Sequence, residues 1–339
     1  MLDLSPEVII LVLVVIMALS FDFINGFHDT ANAIATSVST RALSPRTAIV
    51  IASLFNLLGA LTYTGVAKTI GGKITDPFKL ENGLVVVLAA LTAAILWNLI
   101  TWWFGIPSSS SHAIIGGVAG AAVGASGFGS INMEGFIEIV KALIISPIVA
   151  FVIGFIVIKI VSALVANTAY HKTNRSFRML QVLSASWQSF SHGANDAQKT
   201  MGVITLALLS GGFLVQEPGE FTIPLWVKLS AALAMALGTS FGGWRIIKTM
   251  GGKIMKIKPI SGFSADLSSA LIITIFTTLK LPVSTTHVIT SSILGVGASQ
   301  KLNAVKWGLA GRIIVTWIIT LPVTGLLAAA CYVVLDVFL

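Results

Sequence analysis

Apolar residues run through this chain in long blocks separated by short polar or basic segments. Each block is close to the roughly 20 residues that cross hydrocarbon as a helix. The blocks cover 8–28, 47–66, 84–104, 108–127 and 136–158, then 180–211, 224–243, 262–279, 283–298 and 308–335. The pattern predicts ten helical crossings, five in each half. Five is odd, so two related halves would lie inverted in the bilayer.

Charges in the connecting segments orient this path. Arg41 and Arg46, then Lys172, Arg175 and Arg178, then Arg245 to Lys258, then Lys301 and Lys306, stand in segments without acids. The alternate segments are mixed or acidic, with Lys68, Lys73, Asp76, Lys79 and Glu81, then Glu134 and Glu138, then Glu217 and Glu220. Basic loops stay cytoplasmic, which predicts a multi-pass protein of the cell membrane with both termini outside. Asp3 and Glu7 precede the first block with no early Lys or Arg. That is a poor signal-peptide start, so the block reads as a retained span.

Composition agrees. Residues are 55% hydrophobic and only 10% charged, against about a quarter charged in soluble domains, which excludes a large soluble enzyme. The formal charge of +8 comes from the short loops rather than from a basic, aromatic-interleaved patch, so no nucleic-acid partner is expected. Cys331 is the single cysteine, which rules out an internal disulfide and a cysteine metal cluster.

The two halves repeat. Gly26 and Asp29 pair with Gly193 and Asp196 at an offset of 167, "PSSSSH" from Pro107 pairs with "PVSTTH" from Pro282 at 175, and "KTIGGKI" from Lys68 pairs with "KTMGGKI" from Lys248 at 180. Three matches in one order predict an all-α polytopic membrane protein of two inverted-topology repeats, with broken helices and re-entrant-type helix starts. Such repeats are the signature of secondary transporters. The division expected is 1–165, a cytoplasmic linker over 166–179, and 180–339.

The polar residues inside the blocks carry the chemistry. A carboxylate in mid-membrane is costly unless it meets a cavity, a partner or a cation. Gly26 and Gly193 let the backbone leave the helix near Asp29 and Asp196. Freed carbonyls, the carboxylates and the amides of Asn25, Asn32 and Asn195 would then form an oxygen cage for a hard monovalent cation. Asp22, whose counterpart is Ser189, adds a ligand in one half only. "PSSSSH" and "PVSTTH" have the opposite polarity. Proline followed by hydroxyl residues starts a helix, and exposed N–H groups at the positive dipole end attract anions. Ser109, Ser110 and Ser111 would face Ser284, Thr285 and Thr286 across one tetrahedral anion. Lys199, where the first half has Asn32, neutralises Asp196, touches the anion or snorkels. His28, His112, His192 and His287 support either a site or loop packing. Asp266 reads as a gate or a packing group.

"GFHDTANAIAT" and "SFSHGANDAQKTMG" resemble the two signature copies of the inorganic phosphate transporter (PiT) family, and the two Pro-Ser/Thr elements resemble its paired polar loops. The resemblance covers nearly the whole chain. It implies an inverted-repeat fold, phosphate uptake coupled to sodium or to protons, and a central site at Asp29, Asn32, Asp196 and Gln198, with Gln198 on the phosphate side. His28 departs from the family's Gly-x-Asn-Asp pattern.

Together these readings predict a secondary symporter importing inorganic phosphate with sodium ions by alternating access. Phosphate would lie between the two helix starts and sodium at Asp22, Asn25, Asp29, Asn32, Asn195 and Asp196. No cofactor is expected beyond co-transported sodium or protons. A proton-coupled phosphate or sulfate symporter is the alternative, and an anion channel is the alternative of another class. No Ser-His-Asp order or nucleotide loop points to an enzyme. The other expected partners are membrane lipid and, through small-residue stretches such as "GGVAGAAVGASG", a second copy in a homodimer.

Overall fold

The structure is a computed structural model that describes residues 5–76, 80, 82–217 and 220–339. Asp3, Lys79 and Glu81 of the loop-charge pattern lie outside the described residues. The described chain is all-helical apart from an isolated β-bridge between Thr75 and Ile131.

Two sets of helices follow one another in the same order. The first is α1 (Pro6–Ser39), α2 (Pro45–Ala60), α3 (Gly65–Lys73), α4 (Gly83–Phe104), α5 (Ser110–Ser126) and α6 (Met133–Leu164). The second is α7 (Tyr170–Ser210), α8 (Leu225–Phe241), α9 (Trp244–Lys248, continued by a π turn to Lys253), α10 (Pro259–Thr278), α11 (Thr285–Gln300) and α12 (Trp307–Phe338). α2 and α3 meet at 67°, and α8 and its continuation meet at 58°.

The structure corrects four expectations. First, α1 and α7 run unbroken through both Asp motifs. The glycines there serve close packing instead. A Cβ at Gly26 would strike the Met235 carbonyl on α8, and one at Gly193 would strike the Asn56 carbonyl on α2. The breaks fall at the α2/α3 and α8/α9 bends. Second, α7 begins at Tyr170, inside the segment read as a linker. Basic residues there mark a helix that outruns the bilayer, since 41 residues extend about 60 Å. Third, "KTIGGK" and "KTMGGK" are short partly buried helices, not loops.

Fourth, the ten apolar blocks are not ten separate spans. Among the described residues five helices are long and apolar enough to cross, or seven counting each bent pair as one span. α4–α5 and α10–α11 are hairpins. Gln300 at the end of α11 donates to Ser261 at the start of α10 (2.7 Å), so those legs are antiparallel. The turns at 105–109 and 279–284 meet tip to tip, with Ser111 donating to the Val283 carbonyl (2.8 Å). Both tips turn through a left-handed residue, Gly105 (φ 64°) and Lys280 (φ 63°), which are partners at offset 175. Each half thus contains one such hairpin, and both legs of each had been read as separate crossings.

Apolar packing separates into two clusters. One contains Val14, Phe21, Leu91, Ile115 and Ile204, and the other contains Ile34, Ile158, Ile246, Ile289 and Ile293. Between them lies a buried polar layer.

Candidate functional site

Helix periodicity builds this layer. Asp22, Asn25, Asp29 and Asn32 are spaced 3, 4 and 3 residues apart, which puts them on one face of α1. Ser189, His192, Asp196 and Lys199 repeat that spacing on α7. All eight are at most 1% exposed.

The hairpin tips supply the opposing wall. Ser109 caps α5 by accepting from the His112 N–H (3.1 Å), and Ser284 caps α11 by accepting from the His287 N–H (3.3 Å). The hydroxyls that follow reach the carboxylates. Ser110 donates to Asp29 Oδ2 (2.8 Å) and its partner Thr285 donates to Asp196 Oδ2 (3.2 Å). One residue on, Thr286 donates to Asp29 Oδ1 (3.1 Å) and accepts from Asn32 Nδ2 (2.7 Å). Its partner Ser111 accepts from Lys199 Nζ (2.5 Å). The expected phosphate and cation sets therefore form one cluster, with hydroxyls of the anion cradle already bonded to carboxylates of the cation cage.

Each motif carboxylate also has a nitrogen beside it. His28 Nδ1 is 2.8 Å from Asp29 Oδ1, and its Nε2 is 3.2 Å from Thr101 Oγ1. Lys199 Nζ donates to Asp196 Oδ1 at 2.5 Å, Asn25 Nδ2 donates to Oδ2 at 3.4 Å, and His192 Nε2 lies 3.6 Å from Oδ2. Ligand atoms of Asp29, His192 and Asp196 lie within 4.8 Å of one another.

Asp22 differs. The Thr200 hydroxyl lies beside its carboxylate, and neither Asp22 oxygen, nor Asn25 Oδ1 or Asn32 Oδ1, has a well-formed hydrogen bond. Buried acceptors are normally satisfied, so these orphan oxygens mark where a cation would find ligands. Thr200 escaped the sequence reading, and the signal that could have found it was its place one helical turn, four residues, after Asp196.

Two expected site residues point elsewhere. Asn195 holds the α10–α11 tip, donating to Thr277 Oγ1 (2.9 Å) and accepting from the Val283 N–H (3.3 Å). Gln198 Oε1 accepts from the N–H groups of Val66 (2.8 Å) and Ala67 (3.3 Å), and its Nε2 donates to the Ala194 carbonyl. It caps the start of α3. Gln198→Ala should therefore cost about 1 kcal/mol of stability, read as a Tm drop of a few degrees, with phosphate affinity nearly unchanged. A large affinity loss at constant Tm would make it a substrate ligand instead.

His112 and His287 lie behind the tips. Their rings are 4.5 Å apart, His287 stacks on Trp317 at 3.9 Å, and both line an apolar cavity of about 670 Å³ between α6 and α12. Asp266 lies apart from the centre, accepting from Thr36 Oγ1 (2.6 Å) and Ser184 Oγ (3.5 Å).

Comparison with known proteins agrees with this geometry. The profile of the phosphate transporter family matches residues 25–328. Probable low-affinity inorganic phosphate transporters of Bacillus subtilis (strain 168) and Rhizobium meliloti (strain 1021) are 59% and 48% identical to this chain. Those matches cover 97% and 96% of this chain and 98% and 97% of the relatives. A solved structure described as the sodium-dependent phosphate transporter is 27% identical, with a TM-score of 0.90, over 97% of this chain and 100% of its own. A match that takes in both Asp motifs and both hairpin tips shows that this chain belongs to the phosphate transporter family.

Proposed function

We propose that the chain imports inorganic phosphate by symport with sodium ions, alternating access around the Asp29–Asp196 centre. One observation carries this reading. Two symmetry-related helix starts and two symmetry-related carboxylates converge on one buried spot, so anion and cation chemistry cannot be separated there.

Coupling follows from that arrangement. Without a cation, Ser110, Thr285 and Thr286 spend their hydroxyl protons on the carboxylates. A cation on Asp29 or Asp196 competes for those oxygens and releases the hydroxyls to donate to phosphate. It also cancels repulsion between carboxylate and phosphate, which a low-dielectric interior would make severe. Sodium thus precedes phosphate. The orphan oxygens of Asp22, Asn25 and Asn32, with the Thr200 hydroxyl beside Asp22, suit a hard cation that takes oxygen ligands.

Protons are the second reading, favoured by the His28–Asp29 contact of 2.8 Å, which gives a titratable pair inside the centre. Monovalent phosphate also donates hydrogen bonds to carboxylates, which sulfate at neutral pH lacks the proton to do. Proteoliposomes given labelled phosphate under an inward sodium gradient or an inward proton gradient separate these readings. Uptake driven by sodium alone is expected. Uptake driven only by protons moves the coupling to His28 and the carboxylates. Uptake indifferent to both gradients, as through a channel, sinks the symporter.

The polar residues leading from the centre are unequal on the two sides. Thr36, Gln181, Gln188 and Asp266 on one side have as offset partners Val203, Val14, Phe21 and Leu91 on the other, all buried. With the cell-membrane orientation read from loop charge, the polar side is cytoplasmic and the termini are outside. The divisions 1–165, 166–179 and 180–339 follow the same inverted repeat, with α7 entering the middle segment. Labelling of single cysteines placed at each terminus, from outside intact cells, tests the orientation.

A further inference from the structure

The two halves of the centre share two pairs of contacts, and beside Asp22, which has Ser189 as its counterpart, one substitution changes the charge within those contacts. Ser110 bonds Asp29 as Thr285 bonds Asp196. Asn32 bonds Thr286 (2.7 Å) as Lys199 bonds Ser111 (2.5 Å). The residues of each pair are related by the same offsets, 175 on the hairpin tips and 167 on the long helices. At the position occupied by Asn32 in one half and Lys199 in the other, an amide with an orphan acceptor faces an ammonium that offers no acceptor.

We propose that the Lys199 ammonium is a tethered cation filling one of two pseudo-symmetric cation positions, so that each phosphate travels with one co-ion fewer than the duplicated carboxylates would hold. This rests on the sodium-symport reading above.

Three features support it. Lys199 is fully buried, and its Nζ is 2.5 Å from Asp196 Oδ1, so a second full charge beside that oxygen would repel it. Lys199 also touches Ser111, a hydroxyl of the α5 start, which is where a mobile cation would bridge carboxylate and phosphate. On the other side, Asn32 Oδ1 has no hydrogen-bond partner and the nitrogen beside Asp29 is that of His28, at 2.8 Å. The ammonium keeps Asp196 neutralised through the whole cycle, whereas Asp29 must take its cation from solution. Lys199 therefore positions Asp196 and belongs with Ser111 on the phosphate path.

The test is the ratio of charge to phosphate moved in proteoliposomes, from the potential at which net flux vanishes under fixed sodium and phosphate gradients. Lys199→Asn restores the oxygen ligand that Asn32 supplies and should add one sodium per phosphate. The limiting accumulation then rises about tenfold for a tenfold sodium gradient, and the sodium dependence of phosphate binding steepens by one unit of Hill slope. Asn32→Lys, the mirrored change, should lower the ratio by one.

Wild-type uptake indifferent to sodium would remove the symport reading itself. Sodium-driven uptake at an unchanged ratio in both variants would overturn the tethered cation and leave symport standing. If Lys199→Asn does not transport, the binding slope decides. Phosphate binding that saturating sodium does not restore, in a protein of wild-type Tm, overturns the proposal. If Lys199→Asn does not fold, Asn32→Lys decides by its ratio.

Discussion

Asp29→Asn should lower phosphate uptake by about 100-fold or more while the protein folds with an unchanged or slightly higher Tm. Asp29 accepts from Ser110 and Thr286 and lies against His28. An amide keeps one acceptor and adds two donors, so at least one hydroxyl loses its partner and the cation loses its charge. Contacts to a charged group contribute roughly 1.5–3 kcal/mol each, and a cation that loses the charge on both carboxylate oxygens loses about 10²–10⁴ in affinity, and phosphate binding with it. Stability is spared because burying an ionised carboxylate is itself costly.

Asp196→Asn should behave differently although the sequence makes it the equivalent change. It leaves the Lys199 ammonium buried without its counter-charge, at a cost of roughly 3–5 kcal/mol, so this variant should lose folded yield as well as uptake. Purified yield, Tm in detergent and initial uptake rate distinguish the two. An Asp29→Asn protein that keeps more than a tenth of wild-type uptake, or an Asp196→Asn protein as stable as wild type, would be inconsistent with these contacts.

The second large effect concerns glycines that make no contact with substrate. Gly193→Leu and Gly26→Leu are expected to abolish folded protein, and Gly193→Ala to lower Tm markedly. Gly193 packs on the backbone of Asn56, and Gly59 on the same helix packs on the backbone of Phe190. Across the pseudo-axis, Gly26 packs on Met235 and Gly238 on Phe23. Each added Cβ meets backbone, which cannot rotate away, so the helices must separate. Overpacking of this kind costs about 1–3 kcal/mol or more. Gly308→Ala is the control, because a Cβ there meets nothing within 4 Å and alanine favours a helix. Equal Tm for Gly193→Ala and Gly308→Ala would overturn the close-packing account.

These glycines show where sequence reading went astray. Glycine beside aspartate in an apolar run fits a broken helix that frees carbonyls for a cation. It fits equally a continuous helix that lets a neighbour approach. Local propensity does not separate the two, because the deciding atom, the Asn56 or Met235 carbonyl, belongs to another helix. Asn195 and Gln198 illustrate the same difficulty. Their amides were legible as polar groups in a membrane, but whether they face the centre depends on where a hairpin tip and the α3 start are packed.

The apolar runs, the threefold duplication, the carboxylates at positions 29 and 196 and the hydroxyl-rich helix starts all follow from chain order and residue chemistry. Period, burial cost and capping are local rules, and a lipid environment leaves them few alternatives. The 3-4-3 spacing on α1 and α7 already placed the acids on one face of each helix. Tertiary packing decided the rest. It turned four expected crossings into two hairpins whose tips meet, set Ser110 and Thr285 on the carboxylates, and put the Lys199 ammonium where the other half has an amide. Those outcomes depend on contacts between residues more than 80 positions apart, and a one-dimensional pattern carries no distance between such residues.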